Sequence, residues 1–337
     1  MKVLFYTRKN LQENPAGDTT IIQALRKHLR KLEIKVDLCT DQNVNLNTYD
    51  LVHLFNVSRA SEIYNFLKLL PRESKATVLT PIYWDLRDYL KKINRKGKLD
   101  AWTNGERKRQ YIFNHIDLSI LHCNEEAHMI KQNYKYNKPY EIIPYGTRVI
   151  KKEAFNYIKN QYGFERYVLC VGRICPQKNQ LSLIRALKND LIPMVFVGNI
   201  NDVKYYETCR AEAKQNTIFI HQIHHHQLDN LYHHAHVHIL PSWLEYPGLT
   251  SLEAGAAGCN IVSTDIGSAK EVFWNMIDYC DPGSLESIRT STLKALEMPK
   301  TDLLKNYILE HYTWEKYAMK LQAQYKHLLE HRKNQNT

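Results

Sequence analysis

The feature that most constrains this chain is an alternation, run through twice, of short β-branched or aromatic stretches with helical patterns. In the first half, strand-like runs fall at 2–7 (K-V-L-F-Y-T), 34–39, 50–55 (D-L-V-H-L-F), 76–82, 117–122 and 140–144. Helical patterns near 18–31, 60–70, 85–94, 104–115 and 124–134 lie between them. In the second half, runs near 167–172 (Y-V-L-C-V-G), 194–198, 217–221, 237–241 and 260–264 alternate with helical patterns near 178–189, 201–215, 226–235, 248–257 and 284–296. Parallel strands need long crossovers, and helices in those crossovers cover both faces of the sheet. The alternation therefore predicts an α/β protein of two doubly wound, Rossmann-like domains facing a cleft. The length agrees, since 337 residues exceed one core and suit two.

The first strand pattern stops at Pro144-Tyr145-Gly146, a lysine-rich stretch follows, and a new strand begins at Tyr167. The expected division is 1–150, 151–312 and a closing helix in 313–337. Trp314, Tyr317, Ala318, Leu321, Tyr325 and Leu328 recur at helical spacing in that last segment, so it needs a surface to cover.

Seven scattered cysteines with no C-x-x-C pair read as small hydrophobes in a reducing compartment. The opening M-K-V-L-F-Y-T-R-K is too short in apolar residues for a signal segment, and no run is long enough to span a bilayer. The expectation is a cytoplasmic protein, with peripheral contact with a membrane as an option. Residues 1–150 hold 25 Lys/Arg against 16 Asp/Glu, whereas the remainder hold 21 against 19, so the first half meets acidic partners more readily.

Two stretches carry chemistry. In V-G-R-I-C-P-Q-K-N, 171–179, a buried strand ends at Gly172, Arg173 sits on the turn and Lys178 follows Pro176 at a helix start. Ligands of open parallel sheets bind beyond the carboxyl ends of the strands, so both cations point where a diphosphate would sit. In P-S-W-L-E-Y-P-G-L-T-S-L-E-A-G-A-A-G, 241–258, a helix starts near Gly248. The backbone N–H groups of Gly248, Leu249 and Thr250 then form an anion site. Glu245 lies in the loop and Glu253 on the helix, where a carboxylate can accept both hydroxyls of a ribose. The small residues from Ala254 to Gly258 let that helix pack closely. The plain alternatives are a surface Arg and Lys after a strand and a solvated helical Glu.

Taken together, G-R-x4-K at 172–178, P-S at 241–242, E-x7-E at 245–253 and A-x3-G at 254–258 resemble the retaining glycosyltransferase family 4, of GT-B fold. I-V-S-T-D-I-G-S-A-K-E at 261–271 and T-W-E-K-Y-A at 313–318 extend the likeness over about half the chain. The resemblance implies sugar transfer from a UDP- or GDP-sugar to a glycan, lipid-linked or protein acceptor, with no cofactor and no metal. It implies Arg173 and Lys178 on the diphosphate, Glu245 on the transferred sugar, Glu253 on the ribose, and Gly172 and residues Gly248 to Thr250 around the donor. Arg173, Lys178 and Glu245 form the catalytic set. P-A-G-D-T at 15–19 is similar to the family's glycine-rich loop, with Gly17 near the diphosphate and Ala16 in place of a glycine. The last helix crosses back onto the first domain.

Many relatives carry a histidine after the fourth strand of the first domain. Here L-T-P-I-Y-W-D-L, 79–86, has none, and Tyr83, Trp84 or Asp85 stand in for it on the acceptor side. That departure leaves a rival reading, a catalytically degenerate GT-B protein that only binds nucleotide or glycan. A phosphorylase-like protein is a second alternative, and it would need lysine-bound pyridoxal phosphate. Eight histidines in 221–238 (His221, His224, His225, His226, His233, His234, His236, His238) suggest a metal, yet they span strand, loop, helix and strand, so the expectation is no metal site. The pattern at 85–94 is a basic amphipathic helix, which lies either on the core or on an anionic membrane. No nucleic-acid recognition motif accompanies the charge.

Overall fold

The hydrophobic runs become strands whose residues are buried on both faces, as crossover helices demand. The computed structural model describes residues 1–41, 44–71, 75–151, 154–221, 223, 225–246 and 248–335. The chain forms two compact units, Met1–Tyr145 with Trp314–Thr337, and Gly146–Thr313.

In the first unit β1 (Lys2–Tyr6), α1 (Gly17–Lys31), β2 (Lys35–Cys39), β3 (Leu51–Phe55), α2 (Ala60–Leu69) and β4 (Ala76–Thr80) come first. Three helices follow, α3 (Arg87–Lys92), α4 (Lys96–Asn104) and α5 (Glu106–Asn114), then β5 (Leu118–Leu121), α6 (Asn124–Asn133) and β6 (Tyr140–Ile142). The six strands run in the order β2-β1-β3-β4-β5-β6, all parallel. The order turns back at β1, which makes its carboxyl end a switch point.

The second unit contains α7 (Tyr157–Tyr162), β7 (Val168–Val171), α8 (Gln180–Ala186), β8 (Met194–Val197), α9 (Val203–Glu212), β9 (Thr217–Ile220), α10 (His225–His234) and β10 (Val237–Leu240). It continues with α11 (Leu249–Ala256), β11 (Asn260–Thr264), α12 (Ala269–Phe273), β12 (Asp278–Cys280), α13 (Leu285–Glu297) and α14 (Asp302–His311). Its order is β12-β11-β10-β7-β8-β9, again parallel, with the reversal between β7 and β10. Two apolar clusters sandwich this sheet, one on the α11 side and one on the α8 side.

The last helix, α15 (Trp314–Gln335), belongs to the first unit. Trp314, Tyr317, Ala318, Leu321 and Tyr325 are its buried stripe. The Tyr325 hydroxyl meets His53 Nδ1 at 2.5 Å on the central strand β3, and Gln322 donates to the Leu32 carbonyl at 3.1 Å. The units divide at Tyr145 rather than at 150. Tyr145 is stacked on His122 and Tyr317 of the first unit, while Thr147 forms a strand-like bridge with Thr313 of the second.

The pattern at 85–94 becomes α3, which ends at Lys92, and Asn94, whose φ of 51° no helix accommodates, marks the break before α4. Its apolar face is used up: Leu90 is buried, and Leu86, Tyr89 and Ile93 pack against the first unit's core. Elements α4, α12, β12 and α14 were not anticipated from the sequence. No helix among the described residues is long and apolar enough to cross a membrane, and the seven cysteines are free thiols.

Candidate functional site

The site is assembled at the carboxyl end of β7, at the second unit's switch point. Gly172 donates its N–H to the Val197 carbonyl at 2.9 Å and leaves room for the stem of Lys178, whose methylenes would lie 3.5–3.6 Å from a Cβ placed there. The next strand ends in Gly198, where an added Cβ would stand 2.1 Å from the Gly172 carbonyl oxygen, so only glycine lets the two strand ends approach.

The turn between β7 and α8 is stitched down on every side. Ile174 bridges to Ile200, and Gln180 donates to the Arg173 carbonyl at 2.9 Å. Asn179 adopts the left-handed conformation at φ 59°, which Asn tolerates better than most residues. Its buried amide donates to the carbonyls of Pro241 (3.0 Å) and Pro282 (2.9 Å), tying the turn to the loops that follow β10 and β12. These bonds fix the backbone on either side of Arg173 and Lys178. The Arg173 side chain is partly exposed, and among the described residues it has no ion-pair partner.

The loop after β10 is equally rigid. Glu245 donates its N–H to the Ile266 carbonyl (3.2 Å) and accepts from Ser268 N–H (3.1 Å), and a Cβ on Gly267 would stand 1.9 Å from the Glu245 carbonyl oxygen. Trp243 N–H reaches the Gln177 carbonyl at 2.9 Å, which joins this loop to the first. The side chains meet as well. Lys178 Nζ lies 2.5 Å from Glu245 Oε2, with only 15% and 8% of the two side chains exposed. Gly248 caps α11 at φ 79°, and a Cβ there would press on Glu245 Cγ at 3.1 Å. Thr250 donates its hydroxyl to the Val171 carbonyl at 3.0 Å, which pins the start of α11 to the end of β7. Leu249 and Thr250 are half-exposed, and their N–H groups sit in a helix's first turn, where no intrahelical acceptor exists. Gly255 explains the run of small residues, because a Cβ there would strike Ile308 of α14 at 2.4 Å.

Glu253 lies a turn further along α11. Tyr232, fully buried on α10, donates its hydroxyl to Glu253 Oε2 at 3.0 Å. Arg148 Nε stands 3.5 Å from Glu253 Oε1, and Arg148 Nη1 donates to Asp229 at 2.7 Å. Burial raises the Tyr232 pKa well above its ordinary value and the Glu253 charge adds to this, so the phenol stays a donor. Burial alone would lower the Arg148 pKa, but Asp229 and Glu253 outweigh it and raise it.

The structure thus brings together Gly172, Lys178, Glu245, Gly248 and Thr250, with Arg173 and Leu249 on the same elements and Glu253 just beyond. Sequence reasoning missed Arg148, Asn179, Gln180, Gly198, Asp229, Tyr232 and Gly267. Only the glycines left a local signal, as V-G-N and I-G-S after apolar runs.

The first-unit expectations fare differently. Gly17 opens α1 with no atom within 4 Å of where a Cβ would go. Its neighbour Asp18 is buried and bound by Arg8 at 2.7 and 3.0 Å. Tyr83 is withdrawn from the acceptor side, because it has no exposed surface and its hydroxyl is bonded to Asn133 at 3.0 Å within the core. Trp84 and Asp85 are half-exposed, and Asp85 is paired with Arg87 at 2.5 Å. Of the histidine cluster, His224 lies outside the described residues, and the side chain of His225 is likewise not described. The others diverge: His221 contacts the Tyr206 hydroxyl at 2.9 Å, His236 the Arg166 guanidinium at 3.0 Å, and His238 is fully buried. Among the described residues no three His, Cys, Asp or Glu side chains gather as metal ligands.

Two parallel six-stranded α/β units, the second with Arg173 and Lys178 on the turn after β7, define a two-domain protein of GT-B fold. Residues 151–310, nearly all of the second unit, match the family described as "Glycosyl transferases group 1". The sucrose-phosphate synthase of Thermosynechococcus elongatus superposes with a TM-score of 0.83 at 15% identity, over 97% of this chain and 99% of that one. An α,α-trehalose-phosphate synthase (UDP-forming) from Burkholderia xenovorans gives 0.70 at 9% identity, over 96% and 99%. In sequence, the chain is 26% identical over 210 residues to the O-antigen chain mannosyltransferase RfbU of Salmonella typhimurium, covering 58% of each. It is 27% identical over 180 residues to an uncharacterized glycosyltransferase of Methanocaldococcus jannaschii, covering 49% of this chain and 46% of that one. The matched region therefore spans roughly half the length of these relatives.

Proposed function

We propose that the protein is a retaining, metal-independent glycosyltransferase of the family 4 type, which moves a sugar from a UDP- or GDP-sugar to a glycan, lipid-linked or protein acceptor in the cytoplasm. The observation that carries this reading is the Lys178–Glu245 pair held beside the open start of α11. A buried lysine and glutamate at the mouth of a switch point are poised to exchange partners. When a diphosphate arrives, the ammonium takes a phosphate oxygen, and Glu245 turns its acceptor oxygens to the hydroxyls of the transferred sugar. Arg173 supplies the second cation, and the first N–H groups of α11 meet the distal phosphate.

Breaking the anomeric C–O bond sends its electron pair to the diphosphate and leaves an oxocarbenium-like sugar. The acceptor hydroxyl attacks from the face the diphosphate leaves, and its proton passes to the departing phosphate oxygen. The chain's own contribution is fixed positive charge aimed at those oxygens, and loss of one such donor typically costs about 10²–10³ in rate.

The test is hydrolysis of a panel of donors, monitored as nucleotide release. UDP-sugars are included because one structural neighbour is UDP-forming, and GDP-mannose because one relative is a mannosyltransferase. At least one donor should turn over, unchanged by EDTA, with Lys178→Ala slower by about 10²–10³. Activity in Lys178→Ala equal to wild type, or abolished by chelator, counts against the mechanism. Nucleotide binding with no turnover of any donor would favour the degenerate reading.

A further inference from the structure

We infer that Arg148, together with Tyr232, is a positioning residue that fixes Glu253 for a ribose diol and so sets a preference for ribonucleotide over deoxyribonucleotide donors. The inference rests on the donor reading above and goes beyond it. It names a residue outside the sequence motif and a specificity that follows from it.

Glu253 sits on α11 with 15% of its side chain exposed, close enough to solvent to swing between rotamers. Two neighbours from different parts of the second unit oppose that swing. The Tyr232 hydroxyl holds Oε2 at 3.0 Å, and the Arg148 guanidinium faces Oε1 at 3.5 Å. Each neighbour is itself held. Tyr232 is fully buried. Arg148 follows Thr147, whose N–H donates to the Tyr312 carbonyl at 2.8 Å in the bridge to Thr313, so its backbone is anchored although it lies in no helix or strand. Its fork is oriented by Asp229, 8% exposed, which takes Nη1 at 2.7 Å and leaves the Nε edge toward Glu253. Asp229 and Tyr232 lie three residues apart on α10 and share a face, so one helix sets both restraints.

The division of labour is chemical. A carboxylate offers about four acceptor directions, so Glu253 can keep Tyr232 and still accept two vicinal hydroxyls. Asp229 takes the closer share of the Arg148 charge. The wider gap to Glu253 lets Arg148 orient the carboxylate without closing over it. A diol gains from that fixed geometry, and a deoxyribose cannot gain as much because one partner hydroxyl is missing.

The experiment is calorimetric titration with UDP and dUDP, and with GDP and dGDP, on wild type, Arg148→Gln, the charge-balanced pair Arg148→Gln/Asp229→Asn, and Tyr232→Phe. The paired variant leaves no carboxylate stranded without its cation, and Tyr232→Phe removes one hydroxyl from an intact core. Wild type should bind one ribonucleotide at least about 10-fold tighter than its deoxy counterpart, the loss expected when one hydrogen bond to a charged group is missing. In all three variants that ratio should fall to within about 3-fold, through weaker ribonucleotide binding with deoxynucleotide affinity unchanged. Equal weakening of both nucleotides, or a preserved ratio, overturns the role of Arg148 and Tyr232 while the donor site stands. A wild type that binds both nucleotides equally overturns Glu253 as the ribose ligand, and a wild type that binds none overturns the donor reading itself.

Discussion

The first strand of each unit runs on into an arginine two residues past its end, and the two arginines have opposite surroundings. Arg8, after β1, is 5% exposed and locked to Asp18 by two hydrogen bonds, with Asn56 donating to the same carboxylate at 2.9 Å. Burial alone would raise the Asp18 pKa, but Arg8 and Asn56 outweigh it and hold it below the usual range. Arg173, after β7, is partly exposed and has no ion-pair partner among the described residues. One switch point has its cation neutralised from within, and the other leaves its cation without a carboxylate partner among the described residues.

The sharpest way to break this contrast is to remove each arginine in turn. Arg8→Met strands a buried carboxylate and should cost about 3–5 kcal/mol. Arg173→Met should stay within about 0.5 kcal/mol, since it breaks no buried contact. Urea unfolding followed for the two variants decides it, and equal losses would erase the distinction.

Buried histidines extend the comparison to pH. His122 of the first unit is buried against Glu126 at 2.7 Å. Burial alone would lower its pKa, yet the carboxylate outweighs this and raises it to about 10. His238 of the second unit is buried and has no hydrogen-bond partner at either ring nitrogen among the described residues, and burial, aided by the Lys178 charge, lowers its pKa to about 3. A raised pKa stabilises fully below the unfolded value and fades as pH rises through the folded one. The His122 contribution is therefore lost between about pH 6.5 and 10. A lowered histidine pKa acts in the other direction. Between about pH 6.5 and 3 the unfolded chain binds a proton the folded one refuses, at up to about 1.4 kcal/mol per pH unit. His53, fully buried in the first unit with its pKa also lowered well below the ordinary value by burial, adds to the acid side. Replacing His238 by Leu should flatten the acid slope by one proton while leaving the alkaline limb in place, as read from denaturation midpoints across pH. An unchanged acid slope would mean that His238 is protonated in the folded protein.

The glycines give the smallest effects and the finest contrast. Gly17→Ala meets empty space at the start of α1 and should be neutral or stabilising by about 0.4–1 kcal/mol. Gly198→Ala would drive a methyl into the Gly172 carbonyl and should lower both stability and nucleotide affinity. Comparable melting temperatures and affinities for the two would show that the strand ends of the second unit have slack.

What could be read from the sequence was whatever is local. Strands β1, β3, β4, β7 and β10 announce themselves as apolar runs, Gly172 and Arg173 directly follow a strand, and Lys178, Glu245 and Glu253 fall in short local motifs. The misses have physical causes. Tyr83 follows a strand and so looked exposed. Ile82 adopts φ 48°, an unusual conformation for a β-branched residue, and Tyr83 itself ends up in the core with its N–H on Glu126 at 2.7 Å. Helix α4, after the break at Asn94, buries only Trp102 and so offered no apolar periodicity to read. Strand β12 has three residues, too few for alternation to register. Arg148, Asp229 and Tyr232 converge on Glu253 from 105, 24 and 21 residues away in the chain, a proximity that only the folded sheet creates.

The central claim is that the carboxyl end of β7 is a nucleotide-diphosphate site. Calorimetric titration of UDP and GDP into wild type and into the Arg173→Ala/Lys178→Ala double variant tests it most directly. Two charge-assisted bonds lost should weaken the bound nucleotide by about 10²-fold or more. Nucleotide binding of equal strength in both proteins would contradict the claim.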